Sequence, residues 1–380
     1  METIKRFIFV LQALLLMLIG STEQAIKYVE PLYTSDITEV ADTADTTRGI
    51  AIVPAPRVRA KVLEIPGMGT LEWLQDNKGR TLVKDLPMDT YVVFRLPRTY
   101  SRLLFQWMSS FNYNYIDSRW GAPESYQIDI SGNSTNGIDG DWTNAADVKN
   151  NYMAARTHVL NGEDIRWVRF RVTGGGVAID EIDIHDLGQC QPGDAWDTWG
   201  FIGDSITAFA FWRDADAGKP FNTWVNEQCP ERSPSMMNFG VGGDKAEDVY
   251  ARLKRTIDLN EAVYFWAVGV GSNDSDAERY EQYMRNILDM LTERGKQPII
   301  ARIPYSSVLS DDRIRSLNAI VDKLTTEYNL PAGPDLYTGF KRNRLYLASD
   351  GLHPSYKGME AMNELWAKTA LSIANDSQFD

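Results

Sequence analysis

The sequence predicts two domains of different class: an antiparallel β-sandwich followed by an α/β domain built on a parallel sheet. From about residue 28 to 187, apolar residues recur at every second position, which is the period of a strand with one solvent-facing side. After residue 198, short apolar runs alternate with amphipathic helical segments. That alternation favours parallel strands covered by helices on both faces. A Gly- and Pro-containing linker, 186–194, separates the two patterns.

In the first half, runs with a period of two lie at 103–107, 126–130 and 168–172. In the first of these runs, Leu104 and Gln106 occupy the alternate positions and are expected on the solvent-facing side. Clusters of Gly, Ser and Asn separate the runs, as is typical of the turns of a β-sandwich.

In the second half, apolar runs predict four strands, at 200–206, 236–241, 263–269 and 298–303. Helices are predicted over 275–294 and 310–328, the first with a capping box of Ser275 and Glu278 and an end at Gly295. Ligands of such sheets bind beyond the carboxyl ends of the strands. The loops that follow the strands are therefore where a functional site is expected.

Composition excludes several classes of function. The chain has 380 residues with 39 Lys and Arg against 52 Asp and Glu, a net charge of −13. Nucleic-acid and anionic-membrane partners are disfavoured, because both require basic surfaces. Three His and two Cys, with no H-E-x-x-H and no paired C-x-x-C, predict no metal site. Eleven Trp are compatible with stacking on sugars, although most are expected in the core.

The N-terminus predicts export to the periplasm or the extracellular space. In residues 1–25, Lys5 and Arg6 precede an apolar run over 7–20. That run has the length of a signal peptide and is short for a transmembrane helix, so no stable membrane span is expected after cleavage. Retention as an uncleaved anchor stays open.

Export would place the two cysteines, Cys190 and Cys229, in an oxidising compartment. They either form a disulfide or remain two buried thiols, since sequence does not give the distance between them. The predicted organisation is a signal peptide at 1–25, a carbohydrate-binding-like sandwich at 26–188 and a catalytic domain at 189–380. The oligomeric state is not indicated.

Two motifs suggest nucleophilic catalysis. Gly203-Asp204-Ser205 follows the first strand of the second half, where a serine can present its hydroxyl. Asp350 precedes His353 by three residues, so its carboxylate can reach Nδ1 and leave Nε2 free to accept a proton from serine. Each motif alone has an ordinary structural explanation: Ser205 as a helix N-cap, and Asp350 as a turn residue.

Two further motifs lie between these, also after predicted strands. One contains Gly242 and Gly243, and the other contains Asn273. Glycine backbone N–H groups and an asparagine amide are suitable donors for a developing oxyanion. Either motif could instead be only a tight turn.

Together, G-D-S, G-G-D, G-S-N-D and D-G-L-H resemble the four blocks of the SGNH/GDSL hydrolase superfamily over about residues 196–375. The resemblance implies a flavodoxin-like sheet flanked by helices and ester hydrolysis with neither cofactor nor metal. By position, it implies Ser205 as nucleophile, His353 as general base and Asp350 as its orienting group. Ser205 N–H, Gly243 N–H and the Asn273 side chain would form the oxyanion hole, with Gly242 as an alternative to Gly243.

The first half resembles discoidin-like, galactose-binding β-sandwiches over about residues 80–187. Candidate sugar-stacking residues are Trp120 and Trp142, with Tyr113 and Tyr115 beside them. His158 and His185 are interpreted as structural or surface residues, because nothing pairs them with a nucleophile.

These resemblances imply a carboxylic ester hydrolase that removes O-acetyl groups from a polysaccharide or glycan. The alternatives are a lipid-directed esterase, lysophospholipase or thioesterase, a glycan-binding protein that has lost activity, and a glycan O-acetyltransferase with the same site. Histidines generally change charge between about pH 5 and 8, so the rate is expected to fall below about pH 6.

Overall fold

The computed structural model describes residues 52–65, 71–77, 88–109, 122–176, 178–188, 195–211 and 218–376. The described residues belong to one compact unit, Thr47–Asp380. The predicted signal segment 1–25, Trp120, both tyrosines beside it and Cys190 lie outside these ranges. The division into domains at residues 188 and 189 therefore remains a prediction.

The first half contains an antiparallel sheet of six strands. They are β2 (Lys61–Val62), β3 (Tyr91–Met108), β4 (Pro123–Ser131), β5 (Thr143–Val148), β6 (Ala155–Gly175) and β7 (Glu181–Asp186). The order is β2-β3-β6-β4-β5, and β7 pairs with the second half of β3. The three runs with a period of two lie in β3, β4 and β6, as predicted.

The predicted sandwich is not confirmed. The second half of the chain contains a parallel sheet, described below. Apart from these two sheets, the described strands form only a two-residue parallel pair, β1 (Ile52–Val53) with β8 (Ala195–Trp196). A second antiparallel sheet facing the first is therefore not found among the described residues. The apolar residues of the first sheet form a core with Leu71 and Leu74 of a 3-10 helix, Leu71–Gln75.

The expectation that Leu104 and Gln106 face solvent is wrong. Both are buried, because this half of β3 packs against the α/β part of the chain. Leu104 packs with Ala262, and the Gln106 side chain accepts a hydrogen bond of 2.6 Å from Ser235 Oγ. The two halves of the chain thus share a buried, partly polar contact surface.

The second half contains a parallel sheet of four strands in the order β10-β9-β11-β12. Its strands are β9 (Thr198–Gly203), β10 (Ser235–Gly240), β11 (Phe265–Gly269) and β12 (Gln297–Ile300). All pairs are parallel and nearly every strand residue is buried, as expected when helices cover both faces. The four predicted strands are present, although residues 205 and 206 of the first predicted run belong to a helix and residues 301–303 of the last run follow β12.

Seven α-helices are described in this half. They are α1 (Ser205–Ala210), α2 (Phe221–Gln228), α3 (Ala246–Asp258), α4 (Ala277–Glu293), α5 (Asp311–Glu327), α6 (Leu336–Arg342) and α7 (Tyr356–Asp376). A 3-10 turn, Arg344–Tyr346, precedes the last of them. One core joins the sheet to α3, α4 and α5, and a second joins it to α1, α2, α6 and α7. The sheet is therefore covered on both faces, as predicted.

The start of α4 differs from the prediction. Asp276 is the N-cap and accepts a hydrogen bond of 3.1 Å from Arg279 N, so the capping box of Ser275 and Glu278 is wrong. Gly295 follows the helix with a φ of 64°, a left-handed conformation that glycine adopts at low cost, as predicted. No helix within the described ranges is long and apolar enough to cross a membrane.

Asn260 provides a test of the contact between the two halves. Its side-chain oxygen accepts a hydrogen bond of 2.9 Å from Thr157 N, and both residues are buried. Asn260→Ala would leave that N–H without an acceptor, and we expect it to lower the free energy of unfolding by about 1–3 kcal/mol. Urea denaturation measures this. Asn161→Ala, an exposed position on the strand that contains Thr157, should change the free energy of unfolding by less than about 0.5 kcal/mol. An equal loss of stability in the two variants would contradict the importance of the Asn260 hydrogen bond.

Candidate active site

Ser205 lies where β9 turns into α1. Asp204 is the N-cap of that helix and Ser205 is its first residue, so the alternative in which Ser205 caps a helix is wrong. Gly203 permits the turn, because a Cβ at this position would lie 1.9 Å from the carbonyl oxygen of Gly269 on β11. The serine is thereby held at the carboxyl end of the central strands.

His353 lies beside Ser205, and a continuous chain of hydrogen bonds joins Ser205 to Asp350. His353 Nε2 is 2.8 Å from Ser205 Oγ, and His353 Nδ1 is 2.7 Å from Asp350 Oδ2. With Nδ1–H donating to the carboxylate, Nε2 is the nitrogen that can accept the serine proton. The structure thus brings together the three side chains that the sequence proposed as a triad.

The Asp350 carboxylate is fixed by the turn that contains it. Its Oδ1 accepts hydrogen bonds from Leu352 N at 2.9 Å and His353 N at 3.0 Å. Partial burial alone would raise the pKa of Asp350, but the hydrogen bonds from the His353 side chain and the two backbone N–H groups outweigh it and lower the pKa to about 2. Asp350 is therefore ionised at any pH at which the protein would be assayed.

The candidate oxyanion donors surround the serine. Ser205 N–H belongs to the first turn of α1, where helical N–H groups lack a partner in their own helix. Gly242 and Gly243 lie in an exposed turn after β10, and a Cβ on Gly242 would be 4.0 Å from Ser205 Cβ. Asn273 follows β11, and its Nδ2 donates to Asp244 O at 2.9 Å. An amide nitrogen has two hydrogens, so one remains for a ligand.

Three carboxyls surround these donors, and the sequence motifs had given no role to any of them. Asp204 is buried and accepts hydrogen bonds from Ser272 Oγ at 2.6 Å and Ile206 N at 2.9 Å. Burial raises the pKa of Asp204, and the hydrogen bonds from Ser272 act in the opposite direction. The sequence feature that could have indicated these carboxyls is the aspartate in each of the motifs G-D-S, G-G-D and N-D.

The other two are Asp244 and Asp274. Burial raises the pKa of Asp244 to about 6, although Arg252 Nε donates to its carboxylate at 2.8 Å. Burial likewise raises the pKa of Asp274 to about 6, against the hydrogen bonds that its two oxygens accept from Ala246 N at 3.2 and 3.3 Å. Perturbed carboxyls of this kind are concentrated at functional sites.

The remaining candidates lie elsewhere in the structure. Trp142 adjoins β5 on the antiparallel sheet, where the Arg169 guanidinium lies 4.1 Å from its ring, and its role in binding sugar stays a prediction. Trp120 lies outside the described residues. His185 is buried and His158 is half-buried in the same sheet, where His158 Nε2 is 2.8 Å from Tyr126 OH.

Cys229 carries a free thiol whose Sγ lies 2.9 Å from Glu231 Oε1, and its proposed partner Cys190 is outside the described ranges. Within those ranges, no group of three or more His, Cys, Asp or Glu side chains is placed to hold a metal ion. The expectation of a reaction that needs neither metal nor cofactor stays a prediction.

A serine hydrogen-bonded to a histidine, which is itself hydrogen-bonded to an aspartate, at the carboxyl end of a parallel sheet, defines the class of serine hydrolases. Residues 201–361 match the model of the GDSL-like Lipase/Acylhydrolase family. Over these residues the chain is similar to GDSL-type acylhydrolases, and the protein is a hydrolase that acts on esters.

Relatives and solved structures are similar over this part of the chain. Thioesterase 1/protease 1/lysophospholipase L1 of Escherichia coli strain K12 is 23% identical over 185 residues, which is 48% of this chain and 86% of the relative. A lipase/acylhydrolase from Enterococcus faecalis is 20% identical with a TM-score of 0.38, covering 47% of this chain and 96% of its own. An acetyl xylan esterase from Geobacillus stearothermophilus is 19% identical with a TM-score of 0.38, and the match covers 46% of this chain and 94% of the esterase.

Asp350→Asn tests the orienting role of the carboxylate. The amide would leave Nδ1 without an ionised acceptor and favour the wrong tautomer of His353, so we expect kcat to fall by about 10³- to 10⁴-fold with little change in KM. Steady-state kinetics on p-nitrophenyl acetate measures this. Asp312→Asn is the matched control, because that side chain is 86% exposed and should leave kcat unchanged. Equal rates for both variants would exclude Asp350 from the mechanism.

Proposed function

We propose that the protein is a serine esterase that removes short acyl groups, acetyl above all, from a polysaccharide or glycan. The observation that carries the proposal is the chain of hydrogen bonds that runs from the buried Ser205 to Asp350 at the surface. The Asp350 side chain is 44% exposed, and the glycine turn beside Ser205 is open to solvent. A surface site suits an ester that projects from a large polymer.

The proposed reaction is acyl transfer in two steps. His353 Nε2 takes the proton of Ser205 Oγ as this oxygen attacks the ester carbonyl, and the tetrahedral oxyanion is held by Ser205 N–H, Asn273 Nδ2 and a glycine N–H. His353 then gives the proton to the departing alcohol, leaving an acyl-serine. Water, deprotonated by His353, attacks the acyl-serine and releases the carboxylic acid and free Ser205.

Small neighbours of the serine favour a small acyl group. Gly242 and Gly243 offer backbone but no side chain to a bound acyl chain, and Asn273 offers a polar amide. A long acyl chain would need an extended apolar surface to leave water, at about 0.8 kcal/mol per buried CH₂. These contacts therefore favour an acetyl group over a fatty acyl group.

The surroundings of the enzyme are part of the proposal. Export to the periplasm or extracellular space would give access to acetylated polysaccharides, and the net charge of −13 disfavours nucleic acid as a partner. The antiparallel sheet is proposed to bind the polymer, with Trp142 as a candidate contact.

A lipid- or thioester-directed hydrolase is the second candidate. It is favoured by the relative from Escherichia coli, whose name includes thioesterase and lysophospholipase activities. The chemistry at Ser205 would be the same, and only the acyl group and its carrier would differ. A glycan O-acetyltransferase would also use this site, with a sugar hydroxyl in place of water.

Hydrolysis of p-nitrophenyl acetate and octanoate separates these candidates. We expect the mature protein to prefer acetate and Ser205→Ala to lose at least about 10³-fold in kcat, because no nucleophile remains. Ser349→Ala, an exposed serine beside the catalytic turn, is the control and should retain full activity. A preference for octanoate would favour the lipid-directed candidate, and an unchanged rate in Ser205→Ala would exclude Ser205 as the nucleophile.

The pH dependence of the rate tests the general base. Asp350, with a pKa of about 2, stays ionised down to pH 4 and does not limit activity there. A protonated histidine cannot accept the serine proton, so kcat/KM should fall as the pH is lowered through the usual histidine range of about 8 to 5. Initial rates in buffers of constant ionic strength measure this. A rate that stays flat from pH 8 to 4.5 would exclude His353 as the base.

A further inference from the structure

Asn273 is bracketed in the chain by two residues that each make a buried hydrogen bond to a different part of the site. Ser272 precedes it and Asp274 follows it, and both are at least nine-tenths buried. Asn273 itself is only half-buried and follows β11 in a loop without regular secondary structure. The position of its amide therefore depends on what holds its two neighbours.

On one side, Ser272 is tied to the residue that precedes the nucleophile. Ser272 Oγ donates to Asp204 Oδ2 at 2.6 Å and Ser272 N donates to the same oxygen at 3.3 Å. The other oxygen of Asp204 accepts Ile206 N at 2.9 Å, in the first turn of α1. One carboxylate thus joins the helix that begins at Ser205 to the loop that contains Asn273.

On the other side, Asp274 is tied to the segment that follows the glycine turn. Its carboxylate accepts Ala246 N at the start of α3, at 3.2 and 3.3 Å. Asn273 Nδ2 also donates to Asp244 O in this segment, at 2.9 Å. The loop is therefore connected to both segments that are proposed to donate backbone N–H groups to the oxyanion.

We propose that Ser272 and Asp274 are positioning residues for the reaction, which hold Asn273 in register with Ser205 and the glycine turn through Asp204 and Ala246. The inference rests on the proposed function, in which Asn273 donates to the oxyanion. Both residues are buried, so neither offers an exposed side chain to a substrate. Their contribution is to the geometry of the donors, and misplacing a donor lowers transition-state binding more than substrate binding.

The charge on Asp274 makes this arrangement unfavourable for stability. Asp204 faces Asp274 as a like charge, and Lys245 and Arg313 face it as opposite charges, while burial dominates and raises its pKa from 3.8 to about 6. An acid whose pKa is higher in the folded than in the unfolded protein destabilises the folded state at pH values above the folded pKa. This destabilisation is lost as the pH falls from about 6 toward 3.8. A residue kept only for stability would not be expected to carry this charge.

The experiment compares Ser272→Ala and Asp274→Ala with the wild-type protein on p-nitrophenyl acetate. Removing a donor from an oxyanion hole costs about 10²- to 10³-fold in kcat, and a displaced donor should cost part of that, about 10- to 100-fold. We expect KM to change by less than about twofold, because an interaction made only in the transition state lowers kcat and kcat/KM together.

Two further variants separate positioning from folding. Asp274→Asn keeps an oxygen that can accept Ala246 N, so it should recover most of the kcat that Asp274→Ala loses. Asp248→Ala is the matched control: its carboxylate accepts Lys245 N at 3.0 Å at the same end of α3 but does not touch the loop of Asn273. Its kcat should stay within about twofold of the wild type.

The midpoint of thermal unfolding also separates the two roles. If Asp274 served stability, replacing it would lower the midpoint, whereas a positioning role at a cost in stability predicts a higher midpoint. Asp274→Asn removes the buried charge, so its unfolding midpoint should exceed that of the wild type at pH 8. The difference should shrink at pH 5, where wild-type Asp274 is largely protonated.

The proposal is overturned if Asp274→Ala and Ser272→Ala lose no more kcat than Asp248→Ala, or if they raise KM at unchanged kcat. It is also overturned if the lost activity only follows the fraction of unfolded protein, or if Asp274→Asn fails to recover activity while remaining folded. Ser205→Ala, assayed in parallel, distinguishes these outcomes from failure of the proposed function, which would show as wild-type activity in that variant.

Discussion

The hydrogen bond of 2.8 Å between Ser205 Oγ and His353 Nε2 joins residues that are 148 positions apart in the chain. It depends on the parallel sheet, in which the loops after all strands emerge at one edge. β9 lies between β10 and β11, so the loops after these three strands meet beside Ser205. The turn of His353 is held at the same edge, because Ser306 Oγ and Ser307 N both donate to Gly351 O at 2.9 Å.

A second feature of the site is that three carboxyls lie next to the groups proposed to stabilise the negatively charged oxyanion. Burial and, to a smaller extent, the charge of Asp204 raise the pKa values of Asp244 and Asp274, and none of the three carboxyls is placed to receive a proton from Ser205. Their oxygens are used to hold backbone N–H groups, a serine hydroxyl and Arg252. Functional sites often keep such interactions at the expense of stability, because catalysis requires fixed donors.

Much of the fold could be predicted from local pattern, and the triad from the resemblance of four short motifs to the SGNH/GDSL superfamily. Period-two runs, apolar strands and the spacing of Asp350 and His353 are visible in the chain itself. What could not be predicted depends on distant neighbours. Leu104 and Gln106 are buried because another layer covers them, and the bond from Asp274 to Ala246 spans 28 positions. A single antiparallel sheet and two facing sheets also give the same alternation, so the sandwich did not follow from it.

Trapping the acyl-enzyme tests the central claim most directly. The protein is mixed with p-nitrophenyl acetate, quenched with acid within the first turnover and digested, and the peptides are analysed by mass spectrometry. The account predicts one acetyl group, on Ser205, which is lost when the quench is delayed until the substrate is consumed and is not formed in His353→Ala. An acetyl group on another residue at the same rate, or release of acetate with Ser205 never modified, would contradict it.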